Sequence, residues 1–159
     1  MECNYSIQIA TLSDFDKWMK FTKTVQYEFH GIDLVNTNSY REAILKNIKR
    51  STAIYVAEEK DSSIIGGLIY SMNSNHIGWL AVNPQYRKKG IGTLLIKYVF
   101  KQFPKDTPIE VKTFLETDKS GLTAQSFYKS LGFIAERIVE DRNNENGGKP
   151  FHVFMSYNR

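Results

Sequence analysis

The sequence predicts an α/β fold of the α+β type, a mixed sheet of about six to seven strands flanked by about four helices. Three observations predict it. β-rich runs of period two alternate along the whole chain with amphipathic stretches of helical period. A strand candidate over 77–82 runs through a basic turn into a pattern in which Ile91, Leu94, Leu95, Tyr98 and Val99 share one helix face. Residues 108–116 then set Ile109, Val111, Thr113 and Leu115 against Glu110, Lys112, Phe114 and Glu116. That strand–helix–strand unit requires a parallel pair with a right-handed crossover.

Taken in order, residues 6–10 are a short strand with Ile7 and Ile9 on one face. Ser13 and Asp16 stand at capping-box spacing for a first helix, whose inner side is Leu12, Phe15, Trp18, Met19 and Thr22. A polar and aromatic connection over 27–38 follows, and Ser39 caps a second helix bearing Tyr40, Ile44, Leu45 and Ile48. Residues 53–57 and 64–72 read as an antiparallel hairpin across the charged turn 58–63. Gly66-Gly67 inside its second strand marks a bulge or a close backbone approach. After the strand at 77–82 comes a helix over 90–103, which Pro104 ends. Thr123 caps a further helix with Ala124, Phe127, Tyr128 and Leu131 on one side, and Gly132 suits its C′ position. Residues 133–139 and 151–157 are the last strands, and the stretch between them has the polar, glycine-containing pattern of a mobile connection.

Hydrophobic residues make up 42% of the 159, enough for a substantial core, so the chain reads as one domain over 1–159. No apolar run reaches membrane-span length and no secretory h-region opens the chain. Cys3 is the single cysteine, which excludes an intrachain disulfide and fits a cytoplasmic location. The net charge of +4 is mild. Lys46, Lys49 and Arg50 fall on the solvated side of a helix, and no nucleic-acid motif accompanies Arg87, Lys88 and Lys89. The expectation is therefore neither a nucleic-acid nor a membrane partner.

The chemistry concentrates after the strand at 77–82. A helix N-terminus carries unpaired N–H groups and the positive end of the dipole, and Gly90 and Gly92 let an anion approach the backbone. With Arg87, Lys88 and Lys89 beside it, this is a site for a phosphorylated ligand, with a pyrophosphate fitting best. A Walker A loop is excluded, because the lone Gly-Lys, Gly148-Lys149, precedes Pro150. A dinucleotide fingerprint needs a third glycine where Leu95 stands. His30, His76, His152 and Cys3 lack metal-ligand spacing, so no metal is expected, and no Gly-x-Ser-x-Gly supports a serine nucleophile.

What remains, Arg87-x-x-Gly90-x-Gly92 after a strand ending Leu-Ala-Val-Asn-Pro, resembles the acetyl-CoA loop of the GCN5-related N-acetyltransferases, the GNAT superfamily. The element order β-α-α-β-β-β-α-β-α-β-β is also that family's, so the resemblance covers nearly the whole chain. It implies an acetyl-CoA-dependent N-acetyltransferase that acetylates a primary amine by direct transfer in a ternary complex. By the same resemblance, the backbone of Leu80, Ala81 and Val82 holds the pantetheine and acetyl groups, in a gap between two splayed strands. The backbone of Arg87, Lys88, Lys89, Gly90, Ile91 and Gly92, with Thr93, holds the pyrophosphate. Tyr128, in Ala124-x-x-Phe127-Tyr128-x-x-x-Gly132-Phe133, protonates the departing thiolate as general acid. Gly121 stands where many relatives have an asparagine that contacts the cofactor.

Glu116 is the candidate base that takes the amine proton, with Asp118 and His76 behind it. Tyr27, Glu28, His30 and Asp33 supply aromatic and acidic groups that suit a cationic acceptor, a small molecule rather than a protein. The chain is expected to act as a monomer or homodimer. A different reading stays open at this point: a GNAT-like module that binds acyl-CoA or another protein without turnover.

Overall fold

The computed structural model describes residues 5–29, 32–114, 119–139 and 152–157. Its strands are β1 (Ile7–Ile9), β2 (Ala53–Ala57), β3 (Ile64–Ser71), β4 (His76–Val82), β5 (Ile109–Phe114), β6 (Ile134–Val139) and β7 (His152–Tyr157). The α-helices are α1 (Phe15–Val25), α2 (Asn38–Lys49), α3 (Ile91–Gln102) and α4 (Lys119–Ser130). The strands form one mixed sheet in the order β1-β2-β3-β4-β5-β7-β6. The predicted hairpin is antiparallel, and β4 pairs with β5 in parallel, His76 opposite Glu110 and Ile77 opposite Val111. The expected mixed α/β fold is therefore the one observed.

The chain packs as two compact units, Met1–Ser71 with Gly78–Gln102, and Met72–Ile77 with Phe103–Arg159. In the first, two adjacent glycines of β3 explain how the layers meet. Successive strand residues face opposite sides of a sheet. A Cβ on Gly67 would come within 2.9 Å of the Trp18 ring of α1, and one on Gly66 within 2.6 Å of Ile91 of α3. So α1 and α3 press on opposite faces of β3, each seated where the strand has no side chain. The bulge lies nearby, where Ala57 pairs with Ile64 after Val56 has paired with Gly66. The glycines themselves mark the close approach, by helix side chains, and the extra residue of the bulge is the neighbouring Ile65.

Three local expectations shift. The capping box is Thr11 with Asp14, not Ser13 with Asp16: the Thr11 amide donates to Asp14 Oδ2 at 2.9 Å, and a 3₁₀ turn over Leu12–Asp14 precedes α1. Leu12, on that turn, is 59% exposed, while Trp18, Met19 and Thr22 are buried as expected, joined by Phe21 and Val25, with Phe15 packed partly buried against the core. Helix α2 starts at Asn38 after Thr37, so Ser39 lies inside it. Ile44 and Ile48 are buried as expected, while Lys46, Lys49 and Arg50 stay in solvent.

In the second unit α4 begins at Lys119, so Thr123 and Gly121 lie within the helix rather than before it. Ile109, Val111 and Thr113 of β5 are buried, as the alternation required, together with Gln125 and Tyr128 of α4. Gly132 closes α4 with φ +102°, while the Phe133 amide donates to the Tyr128 carbonyl at 3.0 Å, a C-cap that favours glycine. Strand β7 runs antiparallel to both β5 and β6, with a bulge at Glu136 on β6. The connection expected over 140–150 lies outside the described residues.

Candidate active site

The first unit holds the loop. Strand β4 ends with Ala81 buried and Leu80 and Val82 half-buried. The Asn83 amide donates back to the Ile65 carbonyl at 2.8 Å, and Asn83 Oδ1 caps a 3₁₀ turn over Pro84–Tyr86. The chain then reverses tightly, with Lys88 at φ 60° and Gly90 at φ 82°. Left-handed backbone is natural for glycine and costs about 1 kcal/mol or more for lysine, the kind of strain that concentrates at ligand-binding turns. The Leu94 amide makes the first helical bond, to the Gly90 carbonyl at 2.9 Å. The amides of Ile91, Gly92 and Thr93 therefore precede any intrahelical acceptor and point out of the N-terminus of α3.

These residues fit an anionic group. Beyond its two chain neighbours, no heavy atom of the described residues lies within 4 Å of where a Gly90 Cβ would stand, so the space there is open among them. Lys88 and Lys89 are exposed, and the Lys89 ammonium sits 5.2 Å from the centroid of the Tyr86 ring. Arg87 is held by the chain itself. Its Nε and Nη2 both donate to the Val82 carbonyl at 3.3 Å, and Nη2 also pairs with the Glu28 carboxylate. Of the acceptor-side residues read from sequence, Tyr27 is 58% exposed, Glu28 is held by Arg87, and Asp33 Oδ2 accepts from Asn36 at 2.7 Å. His30 lies outside the described residues.

Sequence reasoning missed what surrounds Trp79 of β4. Its indole stacks on Phe29 (centroids 5.4 Å apart, 21° between planes) and meets Trp18, Phe21 and Tyr40 at 5.9–6.0 Å. The Trp79 Nε1–H is buried without a hydrogen-bond partner among the described residues. Tyr40 is better served. Its hydroxyl accepts from Trp18 Nε1 at 3.1 Å and lies 2.8 Å from Thr22 Oγ1, which spends its own proton on the Trp18 carbonyl. Burial pushes the Tyr40 phenol up to about 12, opposed by the Trp18 N–H that its oxygen accepts. The one signal in the sequence for this cluster is its aromatic richness, which does not say which rings meet.

Tyr128 lies in the second unit, 5% exposed, its ring edge-on to Phe127 and Phe133 with centroids 5.4 Å away in both cases. Burial raises its pKa well above that of a free phenol, so it keeps its proton at neutral pH. His76 begins β4, at the opposite end of that strand from the loop, edge-on to Phe154. Burial lowers its pKa against the pull of Glu110. Glu116 and Asp118 lie outside the described residues, and no group of three or more His, Cys, Asp or Glu side chains could hold a metal among the described ones.

A family model described as the Acetyltransferase (GNAT) family matches residues 13–133, through the β4–α3 loop and Tyr128. The chain belongs to this family. GNAT proteins use acetyl-CoA and an acceptor substrate. Over 143 residues the chain is 26% identical to an N-alpha-acetyltransferase of Sulfolobus acidocaldarius, covering 86% of this chain and 84% of that protein. It is 36% identical over 86 residues to the S-(2-succino)cysteine N-acetyltransferase of Bacillus subtilis. That match spans 48% of this chain and about half, 51%, of the relative. The PaiA N-acetyltransferase of Thermoplasma acidophilum, solved with coenzyme A, shares the fold at TM-score 0.68 and 19% identity, over 99% of this chain and 100% of that one. No helix among the described residues is long and apolar enough to cross a membrane.

Proposed function

We propose that this GNAT protein is an acetyl-CoA-dependent N-acetyltransferase acting on a primary amine by direct transfer in a ternary complex, with the whole chain as a single catalytic domain. The observation that carries the proposal is the β4–α3 loop: left-handed Lys88 and Gly90, open space at Gly90, and three helix-terminal amides following an edge of half-buried strand. The backbone of Leu80, Ala81 and Val82 holds the pantetheine and acetyl groups. Arg87, Lys88, Lys89 and the amides from Gly90 to Thr93 hold the pyrophosphate. The family's naming for acetyl transfer and a relative solved with coenzyme A support that assignment.

Acetyl-CoA supplies an acetyl thioester. The neutral acceptor nitrogen forms a bond to the carbonyl carbon, the carbon–sulfur bond breaks, and backbone N–H groups of β4 polarise the carbonyl oxygen. Glu116 takes the proton the nitrogen loses, and Tyr128 gives its own to the departing sulfur. The Tyr128 phenol, buried and protonated, supports turnover over mere binding. Both relatives are named for acetylating a nitrogen, one at the N-alpha position and one on a cysteine derivative. We therefore rank α-amino groups of small amino-acid derivatives first among acceptors. Cys3 as the single cysteine supports a cytoplasmic location.

The test is release of CoA thiol with a panel of amines: α-amino acids and their S-substituted cysteine derivatives, short peptides with free N-termini, and polyamines. Thiol release with one class and none without acceptor is the expected result. Cofactor binding with no turnover across the panel would instead favour a non-catalytic acyl-CoA module.

A further inference from the structure

Arg87 opens the Arg-x-x-Gly-x-Gly loop, and its guanidinium is engaged by the Val82 carbonyl and the Glu28 carboxylate. Resting on the cofactor reading above, we propose that Glu28 is a positioning residue for cofactor entry: it holds Arg87 on the Val82 carbonyl until the pyrophosphate of acetyl-CoA draws the guanidinium away. Three features of the pair fit such a transfer. The two bonds to Val82 are both 3.3 Å, at the long end for N–H···O, so little is lost when they break. The ion pair is partly in water, its side chains 35% and 25% exposed, and such pairs are weak and replaceable. A pyrophosphate offers the same planar fork two charge-assisted acceptors, a stronger match than one carbonyl oxygen.

The move has two consequences. It frees the Val82 carbonyl, on the strand assigned to the pantetheine arm, to accept from an amide N–H of that arm. It also releases the carboxylate of Glu28, in the turn Gln26–Glu28 that precedes Phe29 and its stack on Trp79. Cofactor arrival at one end of β4 is thereby transmitted to the connection between α1 and α2, where the acceptor is expected.

The sign of the effect is the test. A brace that merely stiffens the loop would make Glu28→Gln bind acetyl-CoA more weakly. A carboxylate that competes with the ligand for Arg87 gives the opposite, a tightening of about three- to tenfold at low salt that shrinks as salt rises. Calorimetric titration of acetyl-CoA into Glu28→Gln, with Glu28→Ala as a second neutral variant, should show that gain. Glu28→Asp, which keeps the charge, should lie nearer wild type. In an Arg87→Gln background the gain should vanish, because the competed group is gone, whereas plain repulsion between Glu28 and the ligand would leave it intact. Circular dichroism establishes that each variant is folded. Unchanged or weaker binding in folded neutral variants overturns the proposal, and so does a gain that persists without Arg87. If wild type itself does not bind acetyl-CoA, the cofactor reading fails first; if it binds and the Glu28 series is flat, this inference alone fails.

Discussion

A single hydroxyl and a single hydrogen atom carry the sharpest expectations. Tyr128 is protonated at neutral pH because burial raises its pKa. If it donates to the sulfur only as the thiolate leaves, Tyr128→Phe should bind acetyl-CoA as wild type does and lose at least about tenfold in kcat. Steady-state kinetics with a productive amine, under conditions where chemistry limits the rate, checks this. Near wild-type turnover would return Tyr128 to a packing role beside Phe127 and Phe133, with solvent protonating the thiolate. At Gly92 the substituent matters by its charge. Gly92→Asp places a carboxylate at the second residue of α3, where the helix dipole and the free amides would otherwise meet phosphate. We expect acetyl-CoA affinity to fall at least about tenfold with the melting temperature little changed. Calorimetry showing equal affinity in a folded variant would remove the pyrophosphate from this loop.

At the scale of elements, β3 is the strand on which packing is least forgiving. Gly67 admits the Trp18 ring edge, and Phe21 lies 3.2 Å from where a Cβ would stand. Trp18 is fully buried and tied through Nε1 to Tyr40, so it cannot swing aside. Gly67→Ala should therefore destabilise the fold by about 1–3 kcal/mol, the usual cost of overpacking, although alanine is no worse a strand residue than glycine. The midpoint of a urea transition measures it. A midpoint equal to or above that of wild type would mean that α1 shifts freely on the sheet. How far this element pair was legible is instructive. The glycine pair announced a close approach, while the side chains that approach came from two helices far apart in sequence.

Over the whole molecule, buried phenols set an alkaline limit. The Tyr40 pKa is raised from 10.0 to about 12. A group raised in the folded state stabilises fully below its unfolded value, and that contribution is lost as pH climbs through the folded one. Between pH about 10 and about 12 the unfolded chain ionises Tyr40 and the folded chain does not, so stability should drop by roughly 2–3 kcal/mol from this residue. The comparison that isolates this residue is wild type against Tyr40→Phe. The variant should lose less stability over that interval, measured by denaturant unfolding at several pH values. Parallel curves for the two proteins would show that Tyr40 ionises as freely folded as unfolded.

By itself the sequence determined the elements and the loop. Every described strand was found within one or two residues, because alternation and helical periodicity are local and are written in consecutive residues. The strand–turn–helix course of the loop was legible for the same reason: strand end, basic turn, glycines and amphipathic helix follow one another directly. Caps were less legible. Thr11 with Asp14 won over Ser13 with Asp16 because a 3₁₀ turn intervened, and the two boxes have the same spacing. Tertiary structure alone decided which rings gather on Trp79, that its indole N–H finds no partner among the described residues, and that Arg87 lies on Glu28 and Val82. Those contacts join residues from separate elements, and their geometry follows from how helices seat on the sheet. No local pattern carries that information, since a surface arginine and a surface glutamate look alike in sequence whether or not the fold brings them together.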